Sequence, residues 1–211
     1  STSRRQRQMC IRDRFIMAKR QRIRYELNTG EITKLQPEEI RVILRAADEM
    51  IVTAGRSMLV KVLKGSKDKK VLEYKLDECP SYGYYHDLTM EEIGKRVDYM
   101  IVKRYLRIEY SGRLPMLVFT DKGWEIECET YTSEWVCRFK EVVESKVLRL
   151  DMFEELKTVN RQVVFAMLDK IKEIGDKRYI PVLNTWQKGE VRKVRQKIEL
   201  SLIHISEPTR H

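Results

Sequence analysis

The sequence has few of the side chains that metal centres and nucleophilic catalysis require. Among 211 residues there are four cysteines and three histidines, and no CxxC or Cys/His pair has zinc-ligand spacing. His86 is the only histidine outside the terminal segments, and no serine or cysteine partner for it is apparent. We therefore expect no metal, no cofactor and no small-molecule substrate, and we predict that the chain is not an enzyme.

Motor and membrane signatures are missing as well. The sequence has no G-x-x-x-x-G-K-[ST] loop to cradle ATP phosphates and no Asp-Glu-x-His metal-binding box. It also has no apolar run long enough to cross a bilayer and no signal peptide. These absences argue against a helicase motor and a membrane partner, and they predict a cytoplasmic protein.

Both terminal segments look foreign to the rest of the chain. Codon by codon, the runs Arg4–Asp13 and Leu200–Arg210 correspond to transposase-type sequencing adaptors translated in frame. We therefore expect residues 1–14 and 200–211 to be adaptor-derived tails outside the fold. Residues 15–36 are polar and basic and are predicted to form a lead-in.

A basic balance remains after the tails are set aside. The formal net charge of the whole sequence is +10, and about +6 of it belongs to the residues between the tails. An excess of this sign favours a polyanionic partner, although net charge informs association rather than fold.

The middle of the chain has the element order helix, helix, helix, β-hairpin. One helix opens at Pro37, a second ends before Gly65, and a capping box at Thr89 starts a third. Two alternating strands follow at 106–110 and 116–120, joined by residues 111–115. This order predicts an α+β winged helix over 37–130; a generic α+β fold with an incidental hairpin is the alternative.

Residues 131–199 are predicted to form an all-helical extension. Apolar residues recur at helical spacing in several stripes through this stretch. The phrase at 167–176 resembles one helix of a HEAT-type repeat, and 191–195 resembles the start of the next. Solenoids need several repeats, so a small, possibly HEAT-like, extension is the prediction.

One segment carries a family resemblance. Residues 53–66, TAGRSMLVKVLKGS, resemble the RQC domain, the winged helix that follows the motor in RecQ helicases. The resemblance continues at Tyr82-Gly83, at Tyr105-Leu106 and at 119–123, FTDKG. It covers about residues 38–125 and is most similar to stand-alone bacterial RQC-type proteins.

The resemblance implies DNA binding without helicase activity. The phosphate loop and the motor's metal-binding box are absent, and so is the four-cysteine zinc module that precedes RQC in many RecQ proteins. It therefore implies a DNA-binding protein of DNA repair or replication that contacts duplex or branched DNA in the nucleoid. A preference for forks, junctions or ends follows from family analogy alone.

The same resemblance nominates the residues that contact DNA. Lys64, Ser66 and Lys70 match family positions that contact backbone phosphates, with Lys67 and Lys69 as supporting charges. The alternative for this run is a solvated basic loop.

Two further surfaces complete the predicted site. The helix that starts at Thr89 lies where a winged helix reads the major groove, and Arg96 on it is a candidate contact. At the hairpin tip, Arg113 is a candidate phosphate ligand and Leu114 a candidate apolar wedge. The alternatives are a solvated helix face and an ordinary turn residue.

Two other functions remain open at this point. Winged helices also bind proteins, so the chain is alternatively a protein-interaction module that uses the helical extension to contact a protein partner. A sequence-specific transcription regulator is the third possibility, and it requires contacts from Arg96 and its neighbours to base edges.

Overall fold

The computed structural model describes residues 26–112 and 114–206. The chain divides into two compact units, and we call the one that ends at Glu127 the N-terminal unit and the one that continues from Cys128 the C-terminal unit. The predicted tail at 1–14, residues 15–25 of the lead-in, the candidate ligand Arg113 and residues 207–211 of the predicted C-terminal tail lie outside the described residues.

The N-terminal unit has the predicted order of elements. It contains α1 (Pro37–Asp48), α2 (Arg56–Lys64), α3 (Lys69–Glu73), a 3-10 turn (Leu76–Glu78), α4 (Met90–Val102), β1 (Leu106–Ser111) and β2 (Leu114–Phe119). Capping boxes hold the starts of two helices, one between Gln36 and Glu39 and one between Thr89 and Glu92. The capping box predicted at Thr89 is thereby confirmed.

The hairpin is tighter than the sequence predicted. β1 and β2 are antiparallel and in register from Leu106 opposite Phe119 to Ser111 opposite Leu114. Only two residues remain for the turn, and Gly112 adopts the left-handed conformation, with φ 66°, that such turns require. Leu114 therefore belongs to the end of a strand rather than to a five-residue tip.

The core of the N-terminal unit is built from the apolar faces of its three longer helices and the base of the hairpin. The spacing of these side chains is the helical periodicity that predicted the elements. The fully buried members of this core include Ile43, Leu44, Leu59, Leu63, Ile93, Val97, Met100, Leu106 and Leu117.

The helix after the hairpin begins earlier than predicted. α5 runs from Asp121 to Ser145 without a break, whereas the helical extension was predicted to begin at residue 131. Thr120 opens the helix, because its Oγ1 accepts a hydrogen bond from the amide of Gly123 at 3.2 Å. Gly123 lies inside this helix, and the position requires glycine because a Cβ there would be 2.0 Å from the carbonyl oxygen of Tyr105.

The C-terminal unit is helical wherever it has regular structure among the described residues. After α5 it contains α6 (Leu150–Leu156), α7 (Arg161–Ile174), a 3-10 turn (Lys177–Tyr179), α8 (Ile180–Gln187) and α9 (Arg192–Ser206). Its core is aromatic: Phe139 packs edge-on against Trp186 at a centroid distance of 5.5 Å, and Phe153 stacks on Trp186 at 6.3 Å.

Part of the segment predicted to lie outside the fold is folded. Residues 200–206 continue α9, and Ser201 and Ile205 are buried. The physical reason is the spacing of Val194, Ile198, Ser201 and Ile205, because residues three or four apart share one helix face. An apolar run with this spacing extends a helix whatever the origin of its codons.

None of the helices in the described ranges is both long enough and apolar enough to cross a membrane.

Candidate nucleic-acid interface

A fixed helix end precedes the predicted phosphate-binding loop. Gly65 ends α2 in the left-handed conformation, with φ 77°, and its amide donates to the carbonyl oxygen of Val62 at 3.0 Å. The next amide, that of Ser66, donates to the carbonyl oxygen of Lys61 at 2.9 Å. A Cβ at Gly65 would lie 3.0 Å from the Cα of Gly83, so the turn is closely packed and its direction is fixed.

The residues from Ser66 to Lys70, which we call the basic loop, are organised around Asp68. The Asp68 carboxylate caps α3 by accepting from the amide of Lys70 at 2.9 Å, and it accepts from Lys61 Nζ at 2.8 Å. The hydrogen bond from Lys61, followed by that from the Lys70 amide, lowers the pKa of Asp68. The hydroxyl of Ser66 accepts from the Asp68 amide at 3.3 Å. The loop is therefore preformed.

Three lysines project from this preformed loop. Lys67, Lys69 and Lys70 are exposed, and none of them forms an ion pair with a residue in the described part of the chain. Between residues 61 and 75 the sequence has six lysines and two acids. Exposed cations on a rigid loop can bind phosphates without reading bases, because phosphate contacts need only charge and hydrogen-bond donors.

Lys64 has an internal role that the sequence did not indicate. Its Nζ donates to the carbonyl oxygens of His86 at 2.6 Å and Leu88 at 2.8 Å, and the side chain is half-buried. These bonds tie the end of α2 to the loop that leads into α4. An ammonium group has three donors, so one remains for an external acceptor.

Arg96 is similarly engaged within the protein. Its Nε approaches Glu39 Oε1 at 3.3 Å, its Nη1 donates to the carbonyl oxygen of Glu92 at 3.2 Å, and its guanidinium lies 5.3 Å from the ring centroid of Tyr85. Tyr85 donates its hydroxyl proton to the same Glu39 oxygen at 2.8 Å. Arg96 thus links α4 to α1, which favours a structural role for it over contacts to bases.

The same network sets the ionisation of Glu39. Burial raises its pKa, but hydrogen bonds from the Gln36 amide, Tyr85 and Arg96 outweigh burial, and the net effect is a lowered pKa. Burial raises the pKa of the Tyr85 hydroxyl, and the hydrogen bond that this hydroxyl donates to the Glu39 carboxylate raises it further. The Glu39 carboxylate on α1 therefore holds together α1, the loop before α4 that carries Tyr85, and α4 itself.

The start of α4 is acidic. The hydroxyl of Thr89 accepts a hydrogen bond from the Glu92 amide at 3.3 Å, and the Glu92 carboxylate accepts one from the Thr89 amide at 2.8 Å. Glu91 and Glu92 are both exposed in this first turn. In a helix-turn-helix the first residues of this helix contact base edges, and two carboxylates there oppose approach to phosphates.

The hairpin presents an apolar residue at its end and cations at its base. The side chain of Leu114 is 65% exposed. Lys103, Arg104, Arg107 and Lys122 are exposed around the start of β1 and of α5, with Arg107 paired to Glu109 and Lys122 over the ring of Tyr105. We did not predict Arg104, Arg107 or Lys122 from the sequence, although the adjacent Lys103-Arg104 pair before the first strand was an available signal.

The basic loop and the hairpin lie at opposite ends of α2. Leu117 in β2 donates its amide to the carbonyl oxygen of Ala54, just before α2, and a Cβ at Gly55 would be 2.5 Å from the carbonyl oxygen of Pro115. The basic loop follows the other end, after Lys64. The nine residues of α2 span roughly 13 Å at 1.5 Å each.

This chain belongs to the RQC domain family, whose family model matches residues 36–146. RQC domains are winged helices, so the predicted fold class and the predicted family are both confirmed for the N-terminal unit. The matched range continues through α5 to the residue after its end.

Among characterised proteins, the chain is similar to the ATP-dependent DNA helicase RecQ of Bacillus subtilis (strain 168). The two are 26% identical over 127 residues, which make up 59% of this chain and 21% of the helicase. The aligned part thus spans about a fifth of that relative's length. No solved structure matches this chain.

Proposed function

We propose that this protein binds DNA through the phosphate backbone, with the basic loop as its principal contact. The observation that carries the proposal is the group of exposed lysines on a preformed loop, Lys67, Lys69 and Lys70. Ser66 and the remaining donor of Lys64 complete the contact. Membership of the RQC family and similarity to a DNA helicase support the same assignment.

The hairpin provides the second contact of the proposed interface. Lys103 and Arg104 at its base supply cations for phosphates further along the duplex, and Arg113, the phosphate ligand predicted from the sequence, stays part of the proposal. The length of α2, roughly 13 Å, corresponds to about four base-pair steps of 3.4 Å. The basic loop and the hairpin base could therefore contact one duplex at separated phosphates.

A sequence-specific regulator is less well supported. That function requires the start of α4 to reach base edges in the major groove. The exposed residues there are acidic, and Arg96 is engaged by Glu39 and Tyr85. Thr89 likewise uses its hydroxyl in the capping box. We therefore leave Thr89 and Arg96 outside the proposed contact set.

We further propose a preference for forks, junctions or ends, as suits a nucleoid-associated cytoplasmic protein of DNA repair or replication. The exposed Leu114 at the end of a stiff hairpin is suited to stack on a terminal base pair. ATP hydrolysis and other catalysis are not part of the proposal, because the sequence contains no phosphate loop and no catalytic grouping was found in it.

A protein-interaction role is the second candidate, and one observation favours it. Val147, Leu148 and Leu150 in the C-terminal unit are all exposed, and exposed apolar clusters mark interaction sites. Leu150 also lines a groove with Trp186 and Glu190. A protein partner of the helical extension, HEAT-like or otherwise, would bind there.

Binding of labelled duplexes to the whole chain tests the first proposal. The triple change of Lys67, Lys69 and Lys70 to alanine should weaken binding to duplexes of unrelated sequence to the same extent. The matched control changes Lys177, Lys188 and Lys193, three exposed lysines of the C-terminal unit, and should retain affinity. Equal losses in both triple variants, or no loss in the first, would contradict the proposal.

A forked duplex compared with a covalently closed circular duplex, which has no ends, tests the finer preference. Leu114→Ser should reduce the preference for the fork while leaving binding to the circular duplex unchanged. If the unaltered protein binds both substrates equally, the structural preference is wrong although DNA binding stands.

A further inference from the structure

An exposed aromatic side chain lies beside the basic loop. Tyr74, the residue that follows α3, is 60% exposed, and its side chain makes no hydrogen bond or ring contact with any residue in the described ranges. Its neighbour Leu72 is 46% exposed. A tyrosine ring exposed to this extent gains little of the stabilisation that comes from removing apolar surface from water. Contact with a partner would bury the ring and provide that stabilisation.

The backbone holds this ring in place rather than leaving it on a loose segment. Val71 before it and Leu76 after it are both buried in the core of the N-terminal unit. The amide of Tyr74 donates to the carbonyl oxygen of Lys70 at 3.1 Å, which completes the last turn of α3. Residues 72–75 therefore form a short corner anchored on both sides, with Tyr74 on its outer surface.

The corner also stores backbone strain. Lys75 adopts the left-handed conformation with φ 53°, which is uncommon for a residue other than glycine. This conformation turns the chain from α3 into the 3-10 helix that buries Leu76. Strain of this kind persists only where the surrounding structure fixes it, and such positions cluster at binding sites.

The position of Tyr74 relative to the lysines indicates the chemistry that a partner needs. Lys70 and Tyr74 are four residues apart across one helical turn, so their side chains are neighbours, with Cβ atoms about 5–6 Å apart. The whole surface lies in the stretch with six lysines and two acids. A partner that places a phosphate at Lys70 would therefore place its base or sugar near the tyrosine ring.

We infer that Tyr74 is a stacking platform for an unpaired base of the DNA strand whose phosphates the basic loop binds. Bases inside a duplex are already stacked on both faces and cannot stack on a tyrosine. Only an unpaired or terminal base offers a free face, and aromatic stacking accepts any base because each has a π-face. The preferred substrate is then a duplex that continues into a single strand.

This inference rests on the proposed function but does not depend on the hairpin. Leu114 would act on a terminal base pair at the wing, whereas Tyr74 would act on an unpaired base next to α3. The two residues can therefore be tested separately on the same set of substrates.

The test uses the whole chain and two labelled DNAs, a blunt duplex and the same duplex extended by a single-stranded overhang. The unaltered protein should bind the overhang DNA more tightly. Tyr74→Ala should lower affinity for the overhang DNA roughly fivefold or more, since stacking on one base contributes at least that factor. Its affinity for the blunt duplex, in which only the two terminal base pairs have a free face, should fall by less.

Two matched variants serve as controls. Tyr74→Phe keeps the ring and should keep the preference for the overhang. Tyr84→Ala removes another exposed tyrosine, one that packs edge-on against Tyr85, and should leave the preference unchanged. With 2-aminopurine as the first unpaired base, fluorescence should be quenched by the unaltered protein and by Tyr74→Phe but not by Tyr74→Ala.

Equal affinity of the unaltered protein for the two DNAs would overturn the inference and leave the proposed function standing. Loss of the preference in Leu114→Ser but not in Tyr74→Ala would overturn it as well. Failure to bind either DNA would instead refute the proposed function.

Discussion

Arg56, the first residue of α2, forms a two-bonded ion pair with the buried carboxylate of Asp98 on α4. Nη2 of Arg56 donates to Oδ2 at 2.8 Å and Nε donates to Oδ1, while the amide of Asn28 donates to Oδ2 at 3.0 Å. The Asp98 side chain is 1% exposed. One carboxylate therefore joins the lead-in, α2 and α4, and so fixes the two helices that position the basic loop.

Replacing Asp98 with alanine should destabilise the protein by about 3 kcal/mol, because a half-buried guanidinium and a backbone amide would lose their acceptor. The loss is measured as a change in the free energy of unfolding in urea. Asp87→Ala, which removes an exposed acid from the same unit, is the control and should change stability by less than about 0.5 kcal/mol. Similar effects of the two variants would contradict the structural role of the pair.

A second prediction concerns Gly123 in α5. A Cβ at this position would lie 2.0 Å from the carbonyl oxygen of Tyr105, a backbone atom that cannot move alone. Gly123→Ala should therefore cost about 1–3 kcal/mol, in spite of the better helix propensity of alanine. Gly189→Ala is the matched change at a glycine with nothing within 4 Å. If Gly123→Ala raises the melting temperature, the close approach of α5 to the start of β1 is wrong.

These two positions show where the sequence was informative and where it was not. Apolar periodicity and the capping box at Thr89 are local signals, so they predicted the helices, the hairpin and the winged-helix order. The Arg56–Asp98 pair and the contact between Gly123 and Tyr105 join residues that are far apart in the sequence. Local sequence patterns therefore could not predict them. The need for a glycine at position 123 was not visible in the sequence, because its reason lies 18 residues away, at Tyr105.

The candidate site divides in the same way. The lysine run at 67–70 was visible in the sequence as charge next to a helix end. The internal bonds of Lys64 and Arg96 were not visible, because a cation's partner in a folded protein depends on which carbonyl or carboxylate the fold brings near it. Tyr74 gave no signal either, since a tyrosine two residues before a buried leucine has the composition of an ordinary core segment.

The third prediction is a pH dependence centred on Glu39. The folded state lowers the pKa of this carboxyl below its ordinary value of 4.5. The stabilisation is therefore fully present above about pH 4.5 and is lost as the pH falls through the folded-state pKa. Glu39→Gln should reduce stability at pH 7 by about 1–2 kcal/mol and make the decline toward acid shallower.

Urea titrations of the unaltered protein and the variant at several pH values measure this effect. Glu38→Gln makes the same change of charge at the exposed neighbouring position and should alter the pH profile less. An unchanged profile in Glu39→Gln would show that the contacts of Glu39 with Tyr85 and Arg96 do not stabilise the fold.

The fourth prediction separates the folded part of the C-terminal segment from the rest. Truncation after residue 199 removes Ser201 and Ile205, which are 1% and 2% exposed. Loss of the isoleucine alone should cost about 1.5–3 kcal/mol of buried apolar surface. Truncation after residue 206 keeps α9 whole and should leave the melting temperature unchanged. Equal melting temperatures of the two truncated proteins would return residues 200–206 to the predicted tail.

The central claim is that the basic loop binds phosphates, and the salt dependence of duplex binding tests it most directly. Each phosphate contact releases counterions and contributes about 0.9 to the slope of log K against log salt. If Lys67, Lys69 and Lys70 contact phosphates, replacing all three with alanine should flatten the slope by about 2–3, whereas the Lys177, Lys188 and Lys193 control keeps it. The same slope for the basic-loop variant and the unaltered protein would contradict the claim.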